Sequence, residues 1–194
     1  HSDLLKKIAF AIIASAIFAL AAKLYGTCFR NARASFLFFC LFAAGIVAAD
    51  QITKALVLQH IPLYGHMEAI PGLFHLTYAQ NTGAAFSSFQ GMRWMFVVLF
   101  AGLAALIVWE YFKKKMPFTT FERWCIAAIF AGGLGNMIDR VRLGYVVDMI
   151  EVEFMNFAVF NVADIFITCG CAALIVSLLF NKKFWKDEPH ATDR

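Results

Sequence analysis

Charged residues are scarce in this chain: 15% of 194 positions, against 61% hydrophobic and a mean hydropathy of +0.70. So little polar surface cannot cover a soluble globule, which excludes an ordinary soluble domain. A basic face interleaved with aromatic residues is also missing, so no nucleic-acid partner is expected, and the net charge of +4 reads as a topology signal. Cys28, Cys40, Cys125, Cys169 and Cys171 include no CxxC pair and no histidine at ligand spacing. They are expected to be small packing residues, with neither a disulfide framework nor a zinc site. His60, His66 and His75 are scattered along one connection, so no metal and no cofactor is expected.

What the chain does have is long greasy runs and 22 phenylalanines. Five runs stand out, at roughly 8–25, 35–57, 93–112, 121–140 and 159–180. Each of the last four is long enough to cross a hydrocarbon core of roughly 30 Å, and in lipid each must be a helix. Basic clusters flank them: Arg30 and Arg33, then Lys113, Lys114 and Lys115, then Lys182, Lys183 and Lys186. With all three clusters in the cytoplasm, the four spans adopt one consistent topology. The outer connection at about 58–92 carries proline and glycine punctuation around "LFHLTYA" and predicts a small sheet. The shorter outer connection, 141–158, is half apolar and is expected to lie in the membrane interface. The first run, with "LLKK" and "ALA", fits a secretory signal peptide, a fifth span or an interfacial helix. His1 at the start, in place of methionine, is the mark expected of either an engineered start or processing.

In such a chain the carboxylates are the informative residues. The predicted topology gathers Asp50, Asp139, Asp148 and Asp164 at one depth, the outer interface, although they lie on different elements. Charge there is costly and marks a functional site by default. Asp50 and Lys54 are spaced i,i+4 and can neutralise each other. Asp139 has Arg140 beside it and Arg142 nearby, which favours a structural ion pair. Asp148 and Asp164 have no cation beside them in sequence. Two such carboxylates at a dry boundary share one proton and titrate as a pair, the arrangement an aspartic protease uses. Asn136 and Asn161 each precede an aspartate by three positions, which puts amide and carboxylate on one helix face.

The blocks "DQITK" (50–54), "NTGAAF" (81–86), "GGLGNMIDR" (132–140), "GYVVDMI" (144–150) and "FNVAD" (160–164) resemble, in order, the conserved blocks of lipoprotein signal peptidase, the signal peptidase II family. The resemblance spans about residues 35–182 and leaves the first run unexplained. Ile165 stands where a serine is common in the family. The resemblance implies a membrane α-helical fold: a four-span helical bundle with a small extracytoplasmic β-sheet, here preceded by an extra hydrophobic helix. Residues 1–34 then form the N-terminal helix and basic linker, 35–186 the peptidase core and 187–194 a cytoplasmic tail.

The implied activity is that of an aspartyl endopeptidase of the bacterial inner membrane, its site facing the extracytoplasmic side. It would cut prolipoproteins on the amino side of a diacylglyceryl-modified cysteine. Asp148 and Asp164 would be catalytic, with Asp50, Lys54, Asn81, Gly83, Asn136, Asp139, Arg140 and Asn161 supporting the site or binding substrate. Implied partners are the lipidated prolipoprotein, membrane lipid and globomycin-type peptide inhibitors. A small multi-span transporter using intramembrane carboxylates, or a non-catalytic binder of lipoprotein signal peptides, are the alternative readings.

Overall fold

The computed structural model describes residues 32–83, 93–113, 116 and 118–181. The first run at 8–25, the end of the 58–92 connection and the tail at 187–194 lie outside them. Four helices and three strands follow in the order α1 (Ala32–His60), β1 (His66–Ile70), β2 (Phe74–Asn81), α2 (Arg93–Lys113), α3 (Thr120–Arg142), β3 (Val146–Val152) and α4 (Val162–Phe180). The helices coincide with the four later apolar runs. Leu37–His60 and Val162–Phe180 are each long and apolar enough to cross a membrane, while the apolar stretch of α2, Trp94–Glu110, is shorter.

One helix face explains why the site lies where it does. The buried positions of α1 are Phe42, Ile46, Asp50, Thr53, Lys54 and Val57, a three-and-four spacing that puts them on one stripe. The stripe is apolar at its start, polar in the middle and apolar again at Val57. Phe42 and Ile46 pack with Ala128 and Ala131 of α3. Val57 packs with Met67, Leu76, Tyr78, Val147 and Met149 of the sheet. The polar band is therefore enclosed between two hydrophobic clusters. The opposite faces of α1, α2 and α4 expose Leu41, Ile52, Leu99, Leu106, Ile175 and Leu179, as expected of surfaces that meet lipid rather than water.

The sheet is antiparallel, in the order β1-β2-β3. Its third strand, within 141–158, is an element that the sequence did not predict. "VVDMI" is buried at every position from Val146 to Ile150, so it lacks the alternation that identifies a half-exposed strand. It pairs along β2, with Ala79 opposite Asp148 and Asn81 opposite Val146. The turn from α3 into β3 depends on Gly144, whose φ of 87° closes the helix as its N–H bonds the Arg140 carbonyl at 3.2 Å.

At the far end, α3 starts with a capping box: Thr119 accepts from the Glu122 amide, and the Glu122 carboxylate accepts from the Thr119 amide at 2.6 Å. The fully buried Glu122 also accepts from Ser177 and Asn181 at 3.0 Å, clipping the start of α3 to the end of α4.

Close packing of α3 on α4 rests on glycine. A Cβ added at Gly132 would stand 2.5 Å from the Ala163 carbonyl oxygen and 2.9 Å from Ile167. Because the first obstacle is backbone, the helices must part. Gly132→Ala should therefore destabilise the protein by about 1–3 kcal/mol, the usual cost of overpacking. Gly102→Ala, where nothing lies within 4 Å, should be neutral or slightly stabilising. Denaturant unfolding in micelles checks both, and equal effects would show that this contact does not limit the packing.

Candidate active site

Four elements converge on the polar band. β3 carries Asp148, and α4 carries Asp164 in its first turn. Asn161 precedes α4 as its N-cap, extended at φ −131° and ψ −178°. Its side-chain oxygen accepts from the Asp164 amide at 3.0 Å, and its own amide donates to Asp164 Oδ2 at 3.1 Å, a capping box with aspartate in the acidic place. The same residue reaches the other aspartate: Asn161 Nδ2 donates to Asp148 Oδ1 at 2.7 Å. One asparagine thus holds a carboxylate on each of two elements.

The remaining carboxylate oxygens are also held. Asn81 Nδ2, at the end of β2, donates to Asp148 Oδ2 at 3.0 Å. Asn136 Nδ2, on α3, donates to Asp164 Oδ1 at 2.8 Å. Asp148 is buried at 3% exposure, and its carboxyl is pushed up to about 7. Burial is the main cause and the charge of Asp164 the second, while hydrogen bonds from Asn81 and Asn161 and the charge of Lys54 pull the other way.

Beneath the pair lies an ionic layer. Lys54 Nζ contacts Asp50 at 2.9 Å, Asp139 at 2.8 Å and Asn136 Oδ1 at 2.9 Å, so all three of its protons have acceptors. Asp50 Oδ1 accepts from the Ala163 amide at 3.0 Å, which ties α1 to the first turn of α4. Asp139 Oδ2 accepts from the Val147 amide at 3.2 Å, which ties α3 to β3 next to Asp148.

Arg140 turns elsewhere. Its Nη2 donates to the Gly83 carbonyl at 2.8 Å, and its guanidinium lies 4.7 Å from the Phe96 ring centre. Gly83 in turn donates its amide to Asn81 Oδ1 at 3.0 Å. All ten residues singled out from the sequence belong to one connected network.

Some of the expected pairings differ. The Asp50–Lys54 pair forms as the spacing predicts. Asp139 does not pair with Arg140 or Arg142; its cation is Lys54, because successive helix positions point about 100° apart and the closer charge comes from α1. The Asn136 amide serves Asp164 rather than Asp139 on its own helix. Gln51 had no distinguishing signal in the sequence, yet its Nε2 donates to Asp139 at 2.9 Å and to the Gly135 carbonyl at 3.2 Å.

The histidines also need correction. His60 bonds its own helix at the Leu56 carbonyl, at 2.8 Å. His66 and His75 are not scattered, because strand pairing brings them together with Glu151 away from the aspartate pair.

A family model described as signal peptidase (SPase) II matches residues 42–180. Among curated relatives, the lipoprotein signal peptidase of Streptococcus agalactiae serotype Ia is 41% identical over 145 residues, 74% of this chain and 88% of the relative. That of Streptococcus pyogenes serotype M2 is 40% identical over 145 residues, 75% of this chain and 91% of the relative. Two solved structures, both of a bacterial membrane enzyme crystallised in meso, share the architecture. The first has a TM-score of 0.69 at 30% identity and covers 80% of this chain and 94% of its own. The second has a TM-score of 0.67 at 32% identity, covering 74% and 93%.

Proposed function

Because the chain belongs to the signal peptidase II family, a membrane protease that removes lipoprotein signal peptides, we propose that Asp148 and Asp164 are its catalytic pair. The observation that carries this reading is the double grip of Asn161, which bonds Asp148 at 2.7 Å and Asp164 at 3.1 Å. A carboxyl pushed up to about 7 still carries a proton about half the time at neutral pH, which suits Asp148 to be the acid. Asp164 is the partner carboxylate in this scheme. Two N–H groups and the N-terminus of α4 favour negative charge there, so it is the base.

A water between the two loses a proton to Asp164 as its oxygen attacks the scissile carbonyl carbon. Asp148 gives its proton to the carbonyl oxygen, leaving a neutral tetrahedral diol. In the collapse the C–N bond breaks, Asp164 passes its proton to the leaving nitrogen and Asp148 recovers one from the diol. The acid and base are then back in their starting forms.

The four helices are four spans with the basic clusters inside, and the site faces the extracytoplasmic side of the inner membrane. The diacylglyceryl tails of the substrate cysteine stay in the outer leaflet, which holds the bond on its amino side at the depth of the pair. Arg140 holds the Gly83 carbonyl, and Asn81 bridges Gly83 to Asp148, so the "NTG" turn forms the wall against which the substrate backbone is positioned. The exposed apolar helix faces admit membrane lipid, and globomycin-type peptides would take the substrate's place beside the pair.

The pH profile tests this assignment. The mechanism needs one proton on the pair, and that proton leaves Asp148 near pH 7. The kcat/KM for a synthetic diacylglyceryl prolipopeptide should therefore fall about tenfold per pH unit well above 7. A profile that stays flat or rises through the alkaline range would remove Asp148 from the acid role.

A further inference from the structure

We propose that His66, His75 and Glu151 form a binding site for a divalent transition-metal ion of the zinc class, on the sheet and separate from the aspartate pair. Each residue comes from a different strand. In the β1–β2 register Glu68 faces His75 and Thr77 faces His66, which makes His66 and His75 diagonal neighbours. In the β2–β3 register His75 faces Glu151 directly. Among the described residues, this is the group of histidine, cysteine and acidic side chains whose ligand atoms converge, all three within 4.8 Å of one another.

The internal geometry is that of a ligand set. His75 Nε2 lies 2.7 Å from Glu151 Oε2, and His66 Nδ1 lies 3.6 Å from the same oxygen. The two imidazole rings meet edge to face with centres 4.8 Å apart. Tetrahedral ligands on bonds of about 2.0–2.1 Å are separated by roughly 3.3 Å, so small side-chain rotations bring the set onto an ion. These rotations are open, because His66 is 60% exposed, and that exposure also gives the ion its entry path.

A second feature points the same way. A simple ion pair needs only one nitrogen of His75, but both are engaged. Nδ1 faces Glu153 Oε1 at 3.3 Å, and Glu153 is anchored through Oε2 by the Gly72 amide at 2.9 Å. A carboxylate on the far ring nitrogen fixes the tautomer and aims the near nitrogen, which is the usual support of a metal-bound histidine.

Two imidazoles and one carboxylate suit zinc and its neighbours better than magnesium or calcium, which take oxygen donors. Three protein ligands leave a fourth position for water. Such an ion would tie together all three strands, including those that carry Asn81 and Asp148.

The test uses the untagged full chain in detergent, stripped with chelator and then dialysed free of it. Titration with zinc chloride, followed by calorimetry, should show saturable single-site binding, and cobalt chloride should give a visible ligand-field band. His75→Ala and His66→Ala should each weaken zinc at least about 10²-fold, and Glu153→Gln about 10-fold. His60→Ala should bind as the parent does. Zinc should also raise the melting temperature of the parent and leave that of His66→Ala at its metal-free value. His66, the most exposed ligand, supplies the variant least able to disturb folding. Absence of saturable binding, or binding unchanged in His66→Ala and His75→Ala, would overturn the site.

Discussion

Asp148→Asn is expected to reduce cleavage of a lipidated prolipoprotein by about 10³-fold or more while the protein remains folded. An amide can neither hand a proton to the carbonyl oxygen nor recover one, and loss of a positioned acid or base alone costs about 10²–10⁴-fold. Because the proposed mechanism uses the two carboxylates as a unit, Asp164→Asn should fall to a similar floor, and the double variant should be little worse than either.

The stability of Asp148→Asn separates lost chemistry from lost structure. The Asp148 carboxyl is pushed up to about 7 in the folded chain from its ordinary value of 3.8. A group raised on folding contributes stability that is present below its unfolded value and is lost as pH rises through the folded one. A gap of about 3 units corresponds to a ceiling on the order of 4 kcal/mol. The parent should therefore weaken between about pH 4 and pH 8. The asparagine variant, which cannot ionise, should not share that loss. At pH 8 it should be inactive yet at least as stable as the parent, as read by gel-shift processing and by denaturant unfolding. Normal turnover would remove Asp148 from the mechanism. An inactive variant that is also strongly destabilised at pH 8 would mean that the aspartate holds the fold rather than the substrate.

What the sequence disclosed about this site follows from what each signal measures. The four described helices are legible because each is an apolar run too long for a strand. Asp50 and Lys54 are legible as a pair because i,i+4 spacing is local. The partner of Asp139 is not, because Lys54 approaches from another helix and Arg140 beside it points away. β3 was hidden for a different reason: with both faces buried, its residues carry no two-residue period. The histidine and glutamate cluster depends on strand register, which spans 76 positions between His75 and Glu151 and leaves no trace in either local pattern. Glu122 shows the same limit in reverse. Its capping box is readable from "TTFE", but its complete burial against Ser177 and Asn181 is a property of the packed helices.

The largest stability effect is expected at Lys54. Lys54 is 2% exposed, and its ammonium is shared among Asp50, Asp139 and Asn136, each within 3 Å. Lys54→Met keeps the length and apolar volume of the side chain but removes the only cation that contacts Asp50 and Asp139 among the described residues. Two enclosed carboxylates would then face each other, and breaking a buried pair in this way costs about 3–5 kcal/mol. The carboxylates cannot simply turn away, because Asp50 is held by the Ala163 amide and Asp139 by the Val147 amide. Lys54→Arg should rescue little, since a planar guanidinium cannot direct donors at three acceptors arranged around an ammonium. Adding Asp50→Asn to Lys54→Met should restore part of the loss, because one of the stranded charges is gone, and the coupling in that double-mutant cycle should exceed about 1 kcal/mol. Activity should fall with stability, since Asn136 loses its lysine and it is Asn136 that holds Asp164. Denaturant midpoints in micelles give the cycle directly. A Lys54→Met protein within 1 kcal/mol of the parent would show that the ionic layer is not what keeps α1, α3 and α4 in register around the aspartates.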